Sequence, residues 1–421
     1  MLNKRDFIKA LGVMALSSPF LSYKNYNEQP LVDLSIRKNL NDEDLWKEIR
    51  KDYLLKKEYV NLENGYYCFI PQPTLNKHIE HIKRINLEGS FYMRNHRDKD
   101  NRATALRLSK LVNCESDELA ITRNTTESLD LIISGFPWKK NDEAIFASQD
   151  YGSMQEMFKL TAKRRGIINK IISIPNHPKN DQEIVSLYEK QITKKTKLIM
   201  VSHMINITGQ ILPVKKICEM AHSYGIDVLV DGAHCVGHID VNIKDLDCDY
   251  YGSSLHKWLS APLGTGLLFI KKNKISKIQP LFAGHVHEID SILRLNHIGT
   301  HPVHSDLAIN DAIDYLESIS LEKKENRLRY IQRYWSEKVR GKKNIIVNTP
   351  SEVFRSCGIA NVGVKNIKPA DLADILFTKY GIFTVPIDYA NVKGCRITPN
   401  IYTNEQELDY FVDSIFKIAS N

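Results

Sequence analysis

Short apolar runs separated by amphipathic stretches dominate the middle of this 421-residue chain. Residues 198–202 and 226–230 are apolar and rich in β-branched side chains, as is typical of strands that are buried on both faces of a parallel sheet. Residues 214–224 between them have helical spacing, and Gly225 predicts where that helix ends. The pattern therefore predicts a strand–helix–strand unit with parallel strands. Further strands are predicted at residues 144–147, 170–173 and 266–270.

Repetition of this unit predicts a large, doubly wound, mostly parallel α/β domain, and the C-terminal pattern predicts a smaller α+β domain. The chain is longer than the roughly 250–300 residues that one hydrophobic core usually serves. We place the large domain at residues 59–305 and the small domain at 306–421, joined by a polar-faced helix around 44–57. The small domain is predicted to contain a long helical stretch at about 306–340, a helix at 370–380, a strand at 382–385 and a last helix opened by a capping box of Thr403 and Gln406.

Composition and charge exclude several classes of protein. Hydrophobic residues make up 43% of the chain and charged residues 26%, which is an ordinary globular balance. The net charge of +8 comes from 58 basic and 50 acidic side chains without a long basic block, so no nucleic-acid partner is predicted. No apolar run reaches the roughly 18–20 residues that span a bilayer, so no stable membrane span is predicted. Seven scattered cysteines without CxxC spacing indicate neither a disulfide framework nor a zinc knuckle.

The first 22 residues have the order of an export signal. Lys4 and Arg5 precede a short apolar stretch at 10–16, which is typical of a removable signal rather than of a membrane helix. The segment resembles a twin-arginine signal but has Lys4 in place of the first arginine. It predicts an exported or periplasmic protein. The alternative is a cytoplasmic protein with an amphipathic leader.

Two polar segments follow predicted strands, where ligands bind in sheets of this class. Asp231 opens the segment Asp231-Gly-Ala-His234, and a carboxylate at a strand end is costly to bury without a cationic partner. Lys257 lies between His256 and Trp258, and apolar surroundings lower the pKa of an amine and make it a usable nucleophile. Alone, Asp231 could cap a helix and Lys257 could lie at the surface. Together they are the pair that pyridoxal phosphate (PLP) requires, a lysine to form a Schiff base and an acid to keep the pyridine nitrogen protonated.

A third polar segment, Thr122-Arg-Asn124-Thr125-Thr126-Glu127, precedes an apolar helix predicted at 129–133. Asn124 and Glu127 form a start that is similar to a capping box. Free amides and hydroxyls at a helix N-terminus suit a phosphate group. The same residues also describe an ordinary helix cap.

These segments together resemble the class V aminotransferases of PLP fold type I, and most nearly their isopenicillin N epimerase-like branch. The resemblance extends from about Tyr59 to the C-terminus. It depends on residues 122–127, 231–234, 253–258 with Gly264-x-Gly266, and Cys395-Arg-Ile-Thr-Pro-Asn-Ile-Tyr402. Each segment alone is a weak signal, but several in this order and spacing are specific.

The resemblance implies a role for each matching residue. Lys257 would hold PLP and then move a proton, while Asp231 would pair with the pyridinium nitrogen. The other cofactor contacts that it implies are Thr125, Thr126, Ser254 and His256 at the phosphate, Tyr151 on the ring, Asn206 and His234 near the phenolic oxygen, and Thr300 from a second subunit. Arg396 would bind a substrate carboxylate, and Asn64 would line the substrate pocket. A shared Thr300 implies a homodimer.

The predicted activity is that of a PLP enzyme acting at the α-carbon of a small amino acid, most nearly an aminotransferase. Epimerisation and C–S or β-elimination use the same chemistry at the α-carbon, so both stay open as alternatives. Desulfurases of the family carry a nucleophilic cysteine on a loop before the substrate arginine. Residues 385–394 contain none, and Cys395 is predicted to pack in the core, so a persulfide route is disfavoured.

Two predictions of other classes compete with this one. Histidines cluster at His285-x-His287-Glu288 and at His297, His301 and His304, which would suit a metal-dependent hydrolase. Gly299 and Pro302 would break a helix that carried the second group. A PLP fold retained only for binding is the other alternative, and the presence of Lys257, Asp231 and Arg396 together speaks against it.

Overall fold

The computed structural model describes residues 42–284 and 288–420. Within them the fold has a seven-stranded sheet, a four-stranded sheet and a parallel pair of short strands, Val60–Asn61 with Ile382–Phe383, and helices surround these sheets. The strands are β1 Val60–Asn61, β2 Leu119–Thr122, β3 Glu143–Ala147, β4 Ile168–Ile172, β5 Thr196–Ser202, β6 Asp227–Asp231, β7 Tyr250–Ser254, β8 Gly266–Ile270, β9 Ile345–Val347, β10 Ala360–Val364, β11 Ile382–Phe383, β12 Val385–Tyr389 and β13 Val392–Ile397. The α-helices are α1 Asp42–Lys51, α2 Gln72–Asn95, α3 Arg97–Leu111, α4 Thr125–Gly135, α5 Gly152–Arg165, α6 Asp181–Glu189, α7 Val214–Ser223, α8 Ile243–Leu246, α9 Val303–Ile319, α10 Leu321–Val339, α11 Pro369–Tyr380 and α12 Glu405–Ser420.

The larger sheet has seven strands in the order β2-β8-β7-β6-β5-β3-β4. Only β8 runs against its neighbours, and the other strands are parallel to one another. Apolar side chains along the sheet, such as Phe146, Leu198, Leu229 and Leu268, are fully buried. Burial on both faces explains why the strands are continuously apolar in sequence. Because most of the strands are parallel, their carboxyl ends lie at one common edge of the sheet.

The smaller sheet is antiparallel, with the order β12-β13-β10-β9. Only Ala390 and Asn391 connect β12 to β13, and both have positive φ angles, 52° and 64°. Two consecutive left-handed residues are the signature of a tight two-residue hairpin. Strand β13 contains Arg396, which is buried. The division of the chain into two domains stays a prediction.

The sequence predictions for the C-terminal part need one refinement and one correction. The helical stretch predicted at about 306–340 is observed as the two helices α9 and α10, because the chain breaks at Ser320, which has a φ of 73° and whose hydroxyl accepts the backbone N–H of Lys323 to cap α10. The capping box of the last helix is formed by Asn404 and Glu407 and not by Thr403 and Gln406. In both cases a polar side chain that competes for backbone N–H groups decides the boundary.

The predicted export signal at residues 1–22 lies outside the described residues, so export stays a prediction. Among the helices of the described chain, none has the length and apolar character that crossing a bilayer requires.

Candidate active site

The carboxyl edge of the large sheet brings together most of the residues that the sequence singles out. Asp231 ends β6 and lies opposite Ser202 on β5 and Gly252 on β7. Lys257 follows β7 by three residues, so it emerges beside Asp231 at the same edge. Asp231 is buried and Lys257 is half-buried, and the charge of Asp231 raises the pKa of Lys257, as expected for neighbouring side chains at one sheet edge. Their proximity satisfies the first requirement of the PLP prediction.

The carboxylate of Asp231 is buried, with 5% of the residue exposed. Its Oδ1 accepts the backbone N–H of Ala233 at 3.0 Å, and within the described residues its Oδ2 makes no hydrogen bond. Burial raises the pKa of Asp231, while the Ala233 amide and Lys257 lower it by less. A buried carboxylate with one unused oxygen is suited to a protonated ring nitrogen, since that cation would favour the ionised form. This fits the pyridinium of PLP.

His234 contacts the amine of Lys257, and Trp258 in turn orients His234. The indole Nε1 of Trp258 donates to His234 Nδ1 at 3.2 Å, and an indole can only donate. Burial, and next the charge of Lys257, keep the pKa of His234 well below its usual range, so the ring is neutral. Its proton therefore resides on Nε2, which lies 3.1 Å from Lys257 Nζ. An N–H aimed at the amine favours the uncharged amine, because only that form can accept it.

Burial lowers the pKa of Lys257 to about 8, with Asp231 opposing that effect and Arg396 adding to it. An ordinary lysine titrates near 10.4 and is almost entirely cationic at neutral pH. In the cofactor-free protein, we therefore expect reductive labelling of Lys257 to rise with pH around a midpoint near 8. Mass spectrometry of the peptide that contains Lys257 measures this, and exposed lysines provide the internal control. A midpoint near that of the exposed lysines would contradict the neutral-amine arrangement.

The N-terminus of α4 forms a polar cradle next to Ser254. The hydroxyl of Ser254 accepts the backbone N–H of Thr125 at 3.0 Å and lies 2.7 Å from Thr125 Oγ1. Asn124 caps the helix by accepting the N–H of Glu127 at 2.9 Å, as predicted. A Cβ at Gly266 would lie 2.8 Å from the backbone of Asn124, so the absence of a side chain there lets the helix end approach β8. Hydroxyls and amides at the positive end of a helix fit the phosphate of PLP.

Two further residues predicted at the phosphate flank this cradle. Thr126 is half-buried in the first turn of α4. His256 is half-buried beside Lys257, with its Nδ1 3.2 Å from the carbonyl oxygen of Thr265. Burial, and next the charge of Lys257, lower the pKa of His256 to about 4. Their contact with phosphate stays a prediction.

Arg396 is already paired with a carboxylate. Its Nε donates to Glu63 Oε2 at 3.2 Å and its Nη2 to Glu63 Oε1 at 2.5 Å, while its Nη1 donates to the carbonyl oxygen of Asn206 at 3.3 Å. Both members of the ion pair are more than nine-tenths buried. The charges of Arg396 and Glu63 both act on Lys257, so the pair lies next to the amine. Glu63 was not among the site residues predicted from the sequence. Its position beside Asn64, as the one charged residue of the segment 59–70, could have indicated a functional role.

Tyr151 and Asn206 lie near the same pocket. Tyr151 precedes the first residue of α5 and is 44% exposed, so one face of its ring is accessible. Burial raises the pKa of Tyr389, while Asn206 and Arg396 lower it and Tyr151 raises it further. Tyr389 is thus a further pocket residue that the sequence did not reveal. The stacking role of Tyr151 and the role of Asn206 at the phenolic oxygen stay predictions.

Two predicted site residues do not join this group. Asn64 is fully buried, and its side chain donates to the carbonyl oxygen of Thr398 at 2.7 Å and accepts the hydroxyl of Tyr402 at 2.7 Å. It braces the segment around Glu63, and its role at the substrate stays a prediction. Thr300 is exposed and follows Gly299, whose φ of 83° turns the chain. Its contribution to a partner's phosphate site stays a prediction as well.

The histidines of the competing metal prediction are in part outside the described residues, since these leave out His285 and His287. His304 Nδ1 lies 3.0 Å from His78 Nε2, and His301 contacts the carbonyl oxygen of Asn296. In the described ranges, no three histidine, cysteine or acidic residues are arranged to hold a metal ion. Metal catalysis therefore receives no support from the described histidines.

All seven cysteines are buried and free, and the turn between β12 and β13 contains none. Burial raises the pKa of Cys395 to about 12, so its thiol is a poor nucleophile at neutral pH. Cys68 lies close to Lys257, but burial likewise raises its pKa to about 12. The thiols of this chain are thus inert packing groups.

Comparison with known proteins places this site in a family. The sequence model of the aminotransferase class-V family matches residues 88–386. The chain belongs to that family. Its curated relatives include isopenicillin N epimerase of Streptomyces clavuligerus, 24% identical over 88% of this chain and 97% of the epimerase. They also include hercynylcysteine sulfoxide lyase of Schizosaccharomyces pombe, 22% identical over 88% of this chain and 96% of the lyase.

A solved structure has the same fold. The apo cysteine desulfurase from Thermococcus onnurineus NA1 superposes with a TM-score of 0.79 at 21% identity, covering 89% of this chain and 98% of the desulfurase. The predicted family, its epimerase-like branch and PLP fold type I are therefore confirmed. Membership of this family also confirms PLP as the cofactor. The prediction of an aminotransferase is not confirmed, since the relatives described here are an epimerase, a lyase and a desulfurase.

Proposed function

We propose that the protein is a PLP-dependent lyase that removes the α-proton of an amino acid and eliminates a substituent from its β-carbon. The observation that carries this proposal is the amine of Lys257, whose pKa burial lowers to about 8 and which lies 3.1 Å from His234 Nε2 at the same sheet edge as Asp231. At that pKa a larger fraction of the amine is uncharged at neutral pH than in an ordinary lysine. A neutral amine at this place is a base that can accept the α-proton. Bound PLP supplies an electron-withdrawing ring that stabilises negative charge developing at the α-carbon.

The residues of the chain divide the remaining work. Asp231 would keep a proton on the ring nitrogen, because the residue is buried and its Oδ2, which makes no hydrogen bond within the described chain, gains from a cationic partner. Thr125 and Ser254 fix the phosphate end, so that the ring cannot rotate away from Lys257. Arg396 orients the carboxylate of the substrate. The absence of a cysteine from residues 385–394 favours direct elimination over a persulfide route.

An epimerase is the second candidate, because isopenicillin N epimerase matches nearly the whole described chain. It would use the same proton removal and return the proton to the opposite face of the α-carbon. Amino transfer has less support, since none of the relatives described above is named as an aminotransferase.

A panel of amino acids separates these reactions. PLP-loaded protein is incubated with β-substituted amino acids such as cystine and with unsubstituted ones such as alanine, with and without a 2-oxo acid acceptor. We expect release of ammonia and a 2-oxo acid from β-substituted substrates without any acceptor. Loss of optical activity without release would favour the epimerase, and turnover that requires the acceptor would contradict both proposals.

We also propose that the protein works as a homodimer. The helix α2 leaves large apolar side chains exposed, including Ile82, Leu87 and Phe91, which are 42%, 86% and 64% exposed. Several large apolar side chains exposed on one helix are typical of a subunit interface. Light scattering of the purified protein measures its mass in solution, and a monomer at micromolar concentration would contradict the proposal.

A further inference from the structure

The geometry of the Arg396 guanidinium limits what it can offer a ligand. Of its five N–H groups, the one on Nε and one on Nη2 donate to Glu63, and one on Nη1 donates to Asn206. One N–H remains on each of Nη1 and Nη2. These two form the end of the guanidinium fork, which can still accommodate one carboxylate. A ligand at this end meets an arginine whose charge is already balanced by a buried carboxylate.

Further hydrogen bonds of the segment 63–66 fix the carboxylate of Glu63 next to Arg396. Its Oε1 also accepts the backbone N–H of Tyr66 at 2.8 Å. The next residue, Asn64, is anchored through its backbone N–H to Thr398 Oγ1 at 2.6 Å. A Cβ at Gly65 would lie 2.6 Å from Arg396 Cζ, so the chain passes directly over the guanidinium. The segment therefore keeps Glu63 against Arg396, and a ligand cannot easily displace it.

We propose that Glu63 is a specificity-determining residue that weakens the binding of carboxylates lacking an amino group. This inference rests on the proposed function. An amino acid is held at two points, through its amino group near Lys257 and through its carboxylate at Arg396. A carboxylate without an amino group has only the contact with Arg396, so its affinity for the PLP-loaded enzyme depends on how far the charge of that arginine is neutralised. Glu63 thus favours ligands that bring an amino group as well as a carboxylate.

The test compares anion binding by the wild type and by Glu63→Gln, measured by calorimetry on PLP-loaded protein. Pyruvate and propionate are the probes, because both are carboxylates without an amino group. Removing a negative charge within a few ångströms of the bound carboxylate is expected to tighten both by at least about tenfold. The gain should disappear in the double variant Glu63→Gln with Arg396→Gln, since the arginine is then absent.

Two further variants separate charge from shape. Glu63→Asp keeps the negative charge, so its anion affinity should stay within about threefold of the wild type. Glu407→Gln makes the same chemical change in another ion pair, in which Glu407 accepts hydrogen bonds from Arg50 at 2.8 and 3.0 Å. That ion pair has no assigned role in the active site. Glu407→Gln should leave anion affinity unchanged. Equal pyruvate affinity in Glu63→Gln and wild type, or an equal gain in Glu407→Gln, would overturn the inference.

Failure of the inference can be told apart from failure of the proposed function. If PLP remains attached through Lys257 and elimination proceeds while Glu63→Gln binds anions no better, only the role of Glu63 is wrong. If the protein binds PLP without involving Lys257, the proposed function is wrong whatever the anion affinities are.

Discussion

Replacing Lys257 with alanine is expected to abolish turnover, lowering the rate by on the order of 10⁴-fold, because both the cofactor-holding amine and the base are lost. The visible absorbance of lysine-bound PLP should disappear as well. Absorbance spectra and turnover with a β-substituted amino acid measure the two effects. The fold should be retained, since among the hydrogen bonds of the described chain the side chain of Lys257 makes only the 3.1 Å contact to His234.

Lys324 provides a matched control for this experiment. It is a second buried lysine, and burial lowers its pKa to about 8, as for Lys257. Its amine donates to the carbonyl oxygen of Trp258, so it touches the loop that carries Lys257 without reaching the pocket edge formed by Asp231. Lys324→Met should keep the visible absorbance. If Lys257→Ala kept that absorbance and Lys324→Met lost it, the assignment of the two lysines would be reversed.

Replacing Asp231 with asparagine is expected to lower turnover by roughly 10²- to 10³-fold, because the ring nitrogen loses the charge that keeps it protonated. Stability should change little or rise, since burial already disfavours the ionised carboxylate of Asp231. Turnover and urea denaturation measure the two quantities on the same preparation.

Asp227, at the other end of the same strand, should behave in the opposite way. It is buried and forms ion pairs with Lys274 at 2.7 Å and Lys277 at 2.6 Å, which lower its pKa. Asp227→Asn should therefore cost stability, by about 3 kcal/mol if the pairs behave as buried ones do, and leave the rate per folded molecule unchanged. A loss of turnover in Asp227→Asn as large as that in Asp231→Asn would contradict a specific role for Asp231.

The strands of the large sheet could be predicted from the sequence, because strands that are buried on both faces consist of continuous apolar runs. The strand predicted at 226–230 is observed at Asp227–Asp231, and the helix predicted at 214–224 at Val214–Ser223. Asp231 and Lys257 could be identified because each departs from its apolar surroundings and both follow strands of the same sheet. Their meeting is a consequence of parallel strands having their carboxyl ends at one edge.

Other features depend on contacts between distant segments and could not be predicted in this way. Glu63 and Arg396 are separated by 333 residues, and no local pattern connects them. The tautomer of His234 follows from the indole of Trp258, which sequence spacing cannot orient. The break at Ser320 was missed because helical periodicity continues on both sides of it, while a single side-chain hydrogen bond sets the boundary.

The two-residue turn between β12 and β13 also bears on what happens to a product. Because only Ala390 and Asn391 connect the two strands, this turn is too short to move a reactive side chain between the pocket and the surface. A sulfur atom or other fragment released from a substrate would find no exposed thiol in the described chain to receive it. Such a fragment would diffuse away as a free small molecule, and an acceptor protein docking at this turn would not be required for turnover.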